Sequence, residues 1–439
     1  MPAATRPALG ILAGGGALPI EIADAVARSG RPLHIVGIEG EADPAIGRYP
    51  HTWVNLGGIG AMTRALRQHG CRELVIAGST RRPNLMRLRP DLGFLTSLPD
   101  LVRCLRGGDD SVLRRVVRFF EAKGLQVLGV EDVAPHLLAP PGPLGSHAPG
   151  EAQRTAIARG FAMIRALGPF DVGQAVVAAG ERIVAIEGAG GTDAMLDGIA
   201  TDVKGGVLAK GPKPGQEMRV DVPTIGPETV RRCAALGLAG IAVLRGSTIV
   251  LAREEVRGRA DRAGLFVIGV DVPEVTIAAH AATAIEMRPR DLAVLGHKCP
   301  SAEDWKDIAL GRRLLAVLKA EGAGYSAVIA RRYVLAVEGE EPSIDVVRRA
   351  AKLRPWGGRL ARRRAGVVVV RDQSYRPWGL DGYAPSGPVL EDRLFRLASE
   401  AGMAGIACTE GPVPFGLATD AARRADAAGI FLVAPRAAP

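Results

Sequence analysis

The sequence is poor in cysteine, in aromatic residues and in long apolar runs. Its five cysteines lie far apart and form no Cys-x-x-Cys pair: Cys71, Cys104, Cys233, Cys299 and Cys408. Neither a disulfide framework nor a cysteine zinc site is therefore encoded, and we expect a reducing, cytoplasmic location. No run of about 18 apolar residues occurs, and no secretory hydrophobic segment follows the first residues. We expect a chain that neither crosses a membrane nor carries a visible export signal.

The composition is that of a globular protein with more than one core. A chain of 439 residues predicts two or three domains. Hydrophobic residues make up 47% and charged residues 23%, which excludes a disordered chain. The net charge of +10 suits anionic partners such as phosphates, nucleic acid or an acidic membrane surface, but the sign of the charge does not choose among them.

Lysine is scarce and clustered. The chain has eight lysines against 48 arginines, yet Lys204, Lys210 and Lys213 fall within ten residues. Prolines and glycines break the segment 207–226, which predicts turns rather than a helix. Lysine suits a phosphate oxygen, and Asp221 can hold a divalent metal or accept a proton from water. A solvated basic loop is the alternative interpretation.

The N-terminal region predicts a strand, a glycine turn and a helix. The apolar residues 9–13 lead into Gly14, Gly15 and Gly16, and Pro19 opens a helical pattern. Glycines at a helix start allow an anion to approach the free N–H groups, so a phosphate suits this turn. The dinucleotide fingerprint fails because Pro19 stands where its third glycine belongs. A nicotinamide-linked oxidoreductase nevertheless stays open as an alternative.

Strands alternate with helices through the first 133 residues, which predicts a Rossmann-like domain with a parallel sheet. Ligands in such folds gather at the carboxyl ends of strands. Gly78 and Arg81 follow the strand 74–77 and are candidates for ligand contact, although a surface arginine often only aids solubility. Asp109 and Asp110 precede a helix, and we favour an N-cap for them on local grounds.

A stretch rich in proline and glycine, 134–150, predicts a linker, and a second α/β domain is expected over 151–272. In that domain Glu187 ends a strand and Asp193 enters a helix after several glycines. Both are candidates for metal or phosphate contact. For Asp193 the alternative is an ordinary N-cap.

The third portion of the chain repeats the second. Arg259-Ala-Asp-Arg-Ala-Gly-Leu-Phe-Val267 returns as Arg424-Ala-Asp-Ala-Ala-Gly-Ile-Phe-Leu432, and a second match shares the same offset. We predict a diverged duplicate of the second domain over 308–439, joined by a connector over 273–307. The duplicate has 20 Lys and Arg against 13 Asp and Glu, and it has no lysine after Lys352. We therefore expect the duplicate to have kept the fold of the second domain and to differ from it in chemistry.

Several motifs together resemble one family. They include Gly191-Thr192-Asp193-Ala-Met-Leu196, Leu208-Ala-Lys210-Gly-Pro-Lys213-Pro and, most strongly, Arg219-Val-Asp221-Val-Pro-Thr-Ile-Gly226. The chain resembles the LpxI-type UDP-2,3-diacylglucosamine pyrophosphatases of lipid A synthesis over residues 8 to about 272. The usual family member lacks residues 273–439, whose role the resemblance leaves open.

The resemblance implies a reaction and a site. The substrate would be UDP-2,3-diacylglucosamine, the products UMP and 2,3-diacylglucosamine 1-phosphate, and the cofactor Mg²⁺. Asp221 matches the family's essential aspartate, and we expect Lys210 and Lys213 to act with it on the phosphates. The other expected substrate contacts are Gly15, Gly16, Ala17, Gly78, Arg81, Asp109, Asp110, Thr192, Arg219 and Thr224. The expected metal ligands are Asp221, Asp193 and Glu187.

The partners follow from the same resemblance. We expect a lipid-linked UDP-sugar as substrate, peripheral contact with the inner face of the inner membrane, no nucleic acid, and a homo-oligomer as one option. A protein without catalysis, in which the duplicated portion recruits a membrane or a partner, is the remaining alternative.

Overall fold

The computed structural model describes residues 6–80, 109–199, 203–271, 291–353, 364–371, 392–410 and 415–436. Arg81, one of the expected substrate contacts, lies outside these ranges, as do the side chains of Asp109 and Asp110. The described residues form three α/β units. We call them the N-terminal domain (6–137), the middle unit (138–271) and the last unit (291–436).

The N-terminal domain is a parallel sheet with helices on both faces. Its strands, in the sheet order β3-β2-β1-β4-β5, all run in one direction. A strand whose residues are all apolar and buried, such as β1, is typical of a sheet covered on both faces. The elements are β1 (Leu9–Ala13), α1 (Leu18–Arg28), β2 (Leu33–Ile38), β3 (His51–Val54), α2 (Ile59–Gln68), β4 (Glu73–Ala77), α3 (Asp109–Ala122), β5 (Gln126–Leu128) and α4 (Val130–Val133).

The middle unit is a six-stranded mixed sheet in the order β6-β13-β11-β9-β7-β8, with a small parallel pair, β10 and β12, beside it. The helix α5 packs on β7 and β9, and the other three helices cover the opposite face. The elements are β6 (Gly142–Pro143), α5 (Glu151–Leu167), β7 (Ala175–Ala179), β8 (Arg182–Ile186), α6 (Gly191–Asp197), β9 (Val207–Lys210), β10 (Thr224–Ile225), α7 (Pro227–Ala235), β11 (Gly240–Leu244), β12 (Ile249–Val250), α8 (Arg253–Ala263) and β13 (Phe266–Val270).

The last unit has the same topology as the large sheet of the middle unit. Its strands follow the order β14-β19-β18-β17-β15-β16, with the long helix α9 against β15 and β17. The elements are β14 (Leu292–Val294), α9 (Ala302–Ala320), β15 (Ser326–Ala330), β16 (Tyr333–Val337), α10 (Ser343–Lys352), β17 (Val367–Val370), α11 (Asp392–Glu400), β18 (Gly405–Cys408), α12 (Phe415–Ala428) and β19 (Phe431–Pro435).

Local irregularities repeat along with the topology. The pairing of β7 with β8 shifts register between Val177 and Ala178, and that of β15 with β16 shifts at the equivalent point, after Val328. The amide of Ser146 donates to Asp261 at 2.7 Å, and the amide of His297 donates to Asp426 at the same distance. The predicted fold class, with a diverged duplicate of the second domain, is confirmed.

The units begin earlier than the proline and glycine content indicates. The stretch 134–150 contains β6, which pairs antiparallel with β13 and so belongs to the middle sheet. The stretch 273–307 contains β14, which pairs antiparallel with β19, and also the start of α9. Two- and three-residue strands are too short to show a period in the sequence, so both were hidden in expected connections.

The N-terminal domain and the middle unit are joined by hydrogen bonds and by apolar packing. The amide of Ala252 donates to Glu21 Oε1 at 2.9 Å, and Arg219 donates to Glu121 Oε1 at 2.8 Å. Ile249 of β12 is fully buried in the N-terminal core. Among the described helices, none is long and apolar enough to cross a membrane.

Candidate active site

Three expected site residues lie at one edge of the middle sheet. Lys210 is the last residue of β9, Glu187 directly follows β8, and Thr192 lies at the start of α6. Both strands run antiparallel to β7 between them, so β8 and β9 end at the same edge. The fold thereby brings an ammonium, a carboxylate and a hydroxyl together from positions 5 to 23 residues apart in the sequence.

Lys210 is buried and bonded at this edge. Lys210 is only 8% exposed, and its Nζ donates to Thr192 Oγ1 at 2.7 Å. Glu187 is buried beside it and also hydrogen-bonds Thr192. A buried ammonium next to a buried carboxylate is costly unless the two charges offset each other. Lys210 and Glu187 therefore each reduce the cost of burying the other.

The electrostatics of Glu187 show which groups surround it. Burial raises the pKa of the Glu187 carboxyl above its usual value. The Lys210 and Lys213 ammonium groups and the Thr192 hydroxyl act to lower that pKa, while the Asp221 carboxylate acts to raise it. Two lysines and a second carboxylate are thus near enough to Glu187 to influence its charge.

One oxygen of Glu187 has no hydrogen-bond partner among the described residues. Its Oε2 is buried and accepts no hydrogen bond from the described residues. In the last unit the equivalent residue is Glu338, whose Oε2 accepts from the hydroxyls of Ser326 and Ser343. Buried oxygens are almost always bonded. The orphaned oxygen of Glu187 therefore points to a ligand, a water molecule or a metal ion as its missing partner.

Lys213 lies on the turn that follows β9. Its Nζ pairs with Asp171 Oδ1 at 2.5 Å, and its amide donates to Gln216 Oε1 at 2.9 Å. Residues 211–223 form turns and irregular backbone, as the prolines and glycines predict. No sequence pattern selects Asp171, because its position opposite Lys213 depends on a left-handed backbone conformation with φ of 55°.

Asp221 is held by its own loop and by the N-terminal domain. Gln216 Nε2 donates to Asp221 Oδ2 at 2.7 Å and to its carbonyl at 2.6 Å. On either side, Val220 and Val222 pack against two different apolar cores of the N-terminal domain. The loop 211–223 is therefore anchored against the N-terminal domain, whereas Lys210 and Lys213 belong to the middle unit. Gln216, like Asp171, was missed by the sequence analysis.

Arg219 is engaged in ion pairs. Its guanidinium bonds both oxygens of Glu217, at 2.8 and 2.9 Å, and Glu121 of α3 at 2.8 Å. Glu217 raises the pKa of Arg219 further above its usual range. In the structure this expected phosphate ligand ties the loop to α3, and Arg114 of the same helix donates to the Gly215 carbonyl.

The glycine turn of the N-terminal domain is closed on one side. The amides of Gly14 and Gly15 donate to the carbonyls of Ala77 and Ser79, at 2.8 and 2.6 Å. A Cβ on Gly78 would lie 2.6 Å from the Gly15 carbonyl oxygen, so the two turns touch directly. Two of the N–H groups expected for an anion are therefore already bonded.

The remaining residues of that turn are more open. Gly16 has φ of +89° and a Cβ there would meet nothing within 4 Å, and Ala17 caps α1. Asp109 and Asp110 are the first two residues of α3, and their predicted roles depend on side chains that lie outside the described part of the chain. Thr224 donates its hydroxyl to the Val222 carbonyl at 3.0 Å.

Asp193 faces away from the lysines. Its carboxylate lies 3.6 Å from Arg232 of α7, and its side chain is 60% exposed. Among the described residues, no group of three or more histidine, cysteine, aspartate and glutamate side chains lies within reach of one metal ion. The structure thus brings together Glu187, Thr192, Lys210, Lys213 and Asp221, and it leaves Asp193 outside this cluster.

A Rossmann-like domain joined to a mixed-sheet α/β unit, in which Lys210 and Glu187 are both buried, defines a class of proteins suited to a phosphorylated ligand. The chain belongs to the LpxI family. The LpxI N-terminal domain matches residues 8–137, and the LpxI C-terminal domain matches two segments, 140–268 and 291–433.

The chain is also similar to a relative whose name states an activity. It is 41% identical over 275 residues to the UDP-2,3-diacylglucosamine pyrophosphatase LpxI of Caulobacter vibrioides. The match covers 98% of that relative and 61% of this chain.

Proposed function

We propose that the protein hydrolyses the pyrophosphate of UDP-2,3-diacylglucosamine, a step of lipid A biosynthesis, to UMP and 2,3-diacylglucosamine 1-phosphate. Membership of the LpxI family and the name of the Caulobacter relative support the substrate. The observation that carries the proposal is the cluster of Glu187, Lys210, Lys213 and Asp221, in which one buried oxygen of Glu187 has no described hydrogen-bond partner although two ammonium groups influence its charge.

The chemistry needs charge stabilisation and a positioned water. Water attacks one phosphorus, the bridging P–O bond breaks, and the leaving phosphate carries away the negative charge. Lys210 and Lys213 stabilise the charge that develops on the phosphate oxygens, and they do so most effectively where water is excluded, as around Lys210. Asp221 orients the attacking water or a metal ion that activates it.

The residues also fit a magnesium ion. Mg²⁺ in phosphate sites is usually held by one or two carboxylates together with substrate oxygens. Glu187 Oε2 and the Asp221 carboxylate are two such groups near the lysines. When bound, the ion would supply positive charge to the pyrophosphate. Asp193 is not included, because its carboxylate faces Arg232.

The test is UMP release from purified protein incubated with UDP-2,3-diacylglucosamine, first with magnesium and then with a chelator. We expect release with magnesium, and loss of it on chelation if the ion is required. Folded protein that releases no UMP under either condition would refute the proposed reaction. UMP release that chelation leaves unchanged would retain the hydrolysis and remove magnesium from it.

Asp221→Asn tests the residue assignment. The amide keeps the size of the side chain and an oxygen for Gln216, so we expect wild-type thermal stability with UMP release reduced by about 10² or more. Asp197→Asn is the matched control, because Asp197 is an exposed carboxylate of α6 that pairs with Arg232. Equal activity losses in both variants would exclude a special role for Asp221.

The proposed substrate also places the protein at a membrane. A diacylated sugar resides in a lipid leaflet, and the region 308–439 carries a net charge of +7 from 20 basic and 13 acidic residues. We propose peripheral contact of this basic region with the anionic cytoplasmic face of the inner membrane. Sedimentation with anionic but not neutral vesicles would support this contact, and equal recovery with both would contradict it.

A further inference from the structure

The middle and last units face each other through equivalent surfaces. From Leu167 to Gly188 the middle unit aligns without a gap to Leu318–Gly339 of the last unit, at an offset of 151 residues. The amide of Ala189 donates to the Leu335 carbonyl at 3.1 Å, and the amide of Glu340 donates to the Val184 carbonyl at 2.8 Å. Each bond becomes the other when 151 is added or subtracted. The contact is therefore isologous, like that of a symmetric dimer.

A shared apolar core lies behind these two bonds. One continuous cluster contains Phe161 and Leu167 of the middle unit together with Leu314 and Leu318 of the last unit, all buried. At its edge Arg159 Nη1 pairs with Glu321 at 3.0 Å. The helices α5 and α9 thus contribute to one apolar core that the two units share.

The turn that carries the candidate site lies at this interface. Glu187 and Thr192 flank residues 188–191, and the Ala189 amide within that turn bonds to β16 of the last unit. A Cβ on Gly188 would lie 2.5 Å from the Leu335 carbonyl oxygen, so the two backbones are in direct contact. Leu353, after α10, approaches within 3.7 Å of the position of a Cβ on Gly190.

We propose that the last unit acts as a built-in dimer partner that positions the turn carrying Glu187 and Thr192 for catalysis in the middle unit. The inference rests on the proposed hydrolysis for its kinetic part only. The last unit supplies no lysine equivalent to Lys210, since Val370 of β17 occupies that register position. Its contribution is the backbone and side-chain support of the neighbouring turn.

Two glycine substitutions separate positioning from mere stability. Gly188→Ala places a methyl group against Leu335 in the turn of the site. Gly339→Ala makes the mirrored change, with its Cβ 2.2 Å from the Val184 carbonyl oxygen, in the turn of the last unit. Both are made in the full chain, and both disturb the same interface.

Amide hydrogen exchange is the first readout, because it needs no substrate. We expect Gly188→Ala to lose protection in the peptide spanning residues 187–196 more than Gly339→Ala does. UMP release is the second readout. A misplacement of about 1 Å at a catalytic group can cost about a hundredfold, so we expect kcat to fall by that order in Gly188→Ala with KM little changed. Gly339→Ala should keep kcat near the wild-type value at a comparable loss of thermal stability.

The outcomes distinguish the positioning role of the last unit from the proposed hydrolysis. If both variants lose kcat in parallel with their melting temperatures, the last unit only stabilises the fold and the positioning role is overturned. If wild-type protein releases no UMP but exchange still separates the variants, the support of the turn stands and the proposed reaction fails. Should Gly188→Ala not fold, Leu353→Ala tests the same support with a smaller change, and unaltered exchange of residues 187–196 there would refute it.

Discussion

Replacement of Lys210 by methionine asks whether the buried ammonium serves the reaction or only the fold. Methionine keeps an unbranched apolar stem and removes the charge. The ammonium donates to Thr192 at 2.7 Å and lies beside the buried Glu187 carboxyl. The substitution therefore removes a hydrogen bond and the principal cation near a buried acid, with little change in packing.

The effect on stability has an upper bound. Removing one member of a buried ion pair costs about 3–5 kcal/mol when the other charge stays buried and unpaired. Glu187 can relieve part of this cost by taking up a proton, because burial already raises its pKa. Lys213 is also close enough to compensate in part. We expect a measurable fall in melting temperature that stays below this bound, at about 2–4 °C for each kcal/mol.

The effect on activity is larger than stability alone explains. Loss of one charge-stabilising donor in a dry site typically costs about 10²–10³ in rate. The double variant Lys210→Met with Glu187→Gln removes both charges, so we expect it to regain stability and to remain inactive. Lys204→Met is the control, because Lys204 belongs to the same cluster in the sequence but is exposed.

UMP release and thermal unfolding, both at pH 7, measure the two effects. A double variant that recovers activity together with stability would show that Lys210 only neutralises Glu187. A Lys210→Met protein that turns over normally would refute the proposed role of the ammonium altogether.

Two further predictions concern the fold. A Cβ on Gly160 of α5 would lie 2.5 Å from Ala209 of β9. Gly160→Ala should therefore destabilise the protein by about 1–3 kcal/mol through overpacking, as measured by urea titration. The control Gly258→Ala, on the polar helix α8, should be neutral or stabilising in the same titration. Burial raises the pKa of Asp307 from 3.8 to about 6. The native state therefore holds this proton more tightly, and its contribution to stability is full below about pH 4 and is lost as the pH rises to 6, by about 3 kcal/mol. Asp307→Asn should abolish that part of the pH dependence, and identical slopes for the two proteins between pH 4 and 6 would contradict the assignment.

The sequence predicted the long elements well because their physical signals are strong. A buried parallel strand reads as a run of apolar residues, and β1 has the bounds that the apolar run 9–13 indicates. The short edge strands β6 and β14 gave no such signal, because they contain two and three residues. Their pairing is decided by the neighbouring strands β13 and β19, which only the folded chain brings alongside.

The sequence could predict which charged residues belong to the site, but not how their side chains are arranged. The motif around Lys210 and Asp221 identified the charged groups, but the partners Asp171 and Gln216 depend on turn geometry that has no sequence pattern. Conversely, Asp193 stands in a motif typical of a ligand, yet the orientation of α6 directs it to Arg232. A short helix turns its successive side chains by about 100°, so adjacent residues such as Thr192 and Asp193 point to different surroundings.

The last unit shows how a buried carboxylate can be kept once its cation is gone. Glu338 is fully buried at the position equivalent to Glu187, but Val370 occupies the register position of Lys210. Burying a carboxylate is costly, and hydrogen bonds help to offset this cost. Ser326, in place of Ala175, and Ser343, in place of Thr192, donate two hydroxyl bonds to one oxygen of Glu338. In the middle unit Ala175 can donate no such bond, so Glu187 Oε2 is left for something outside the described chain. The same acid is therefore hydrogen-bonded by two hydroxyls in the unit without the lysine, and one of its oxygens has no described partner in the unit where we propose catalysis.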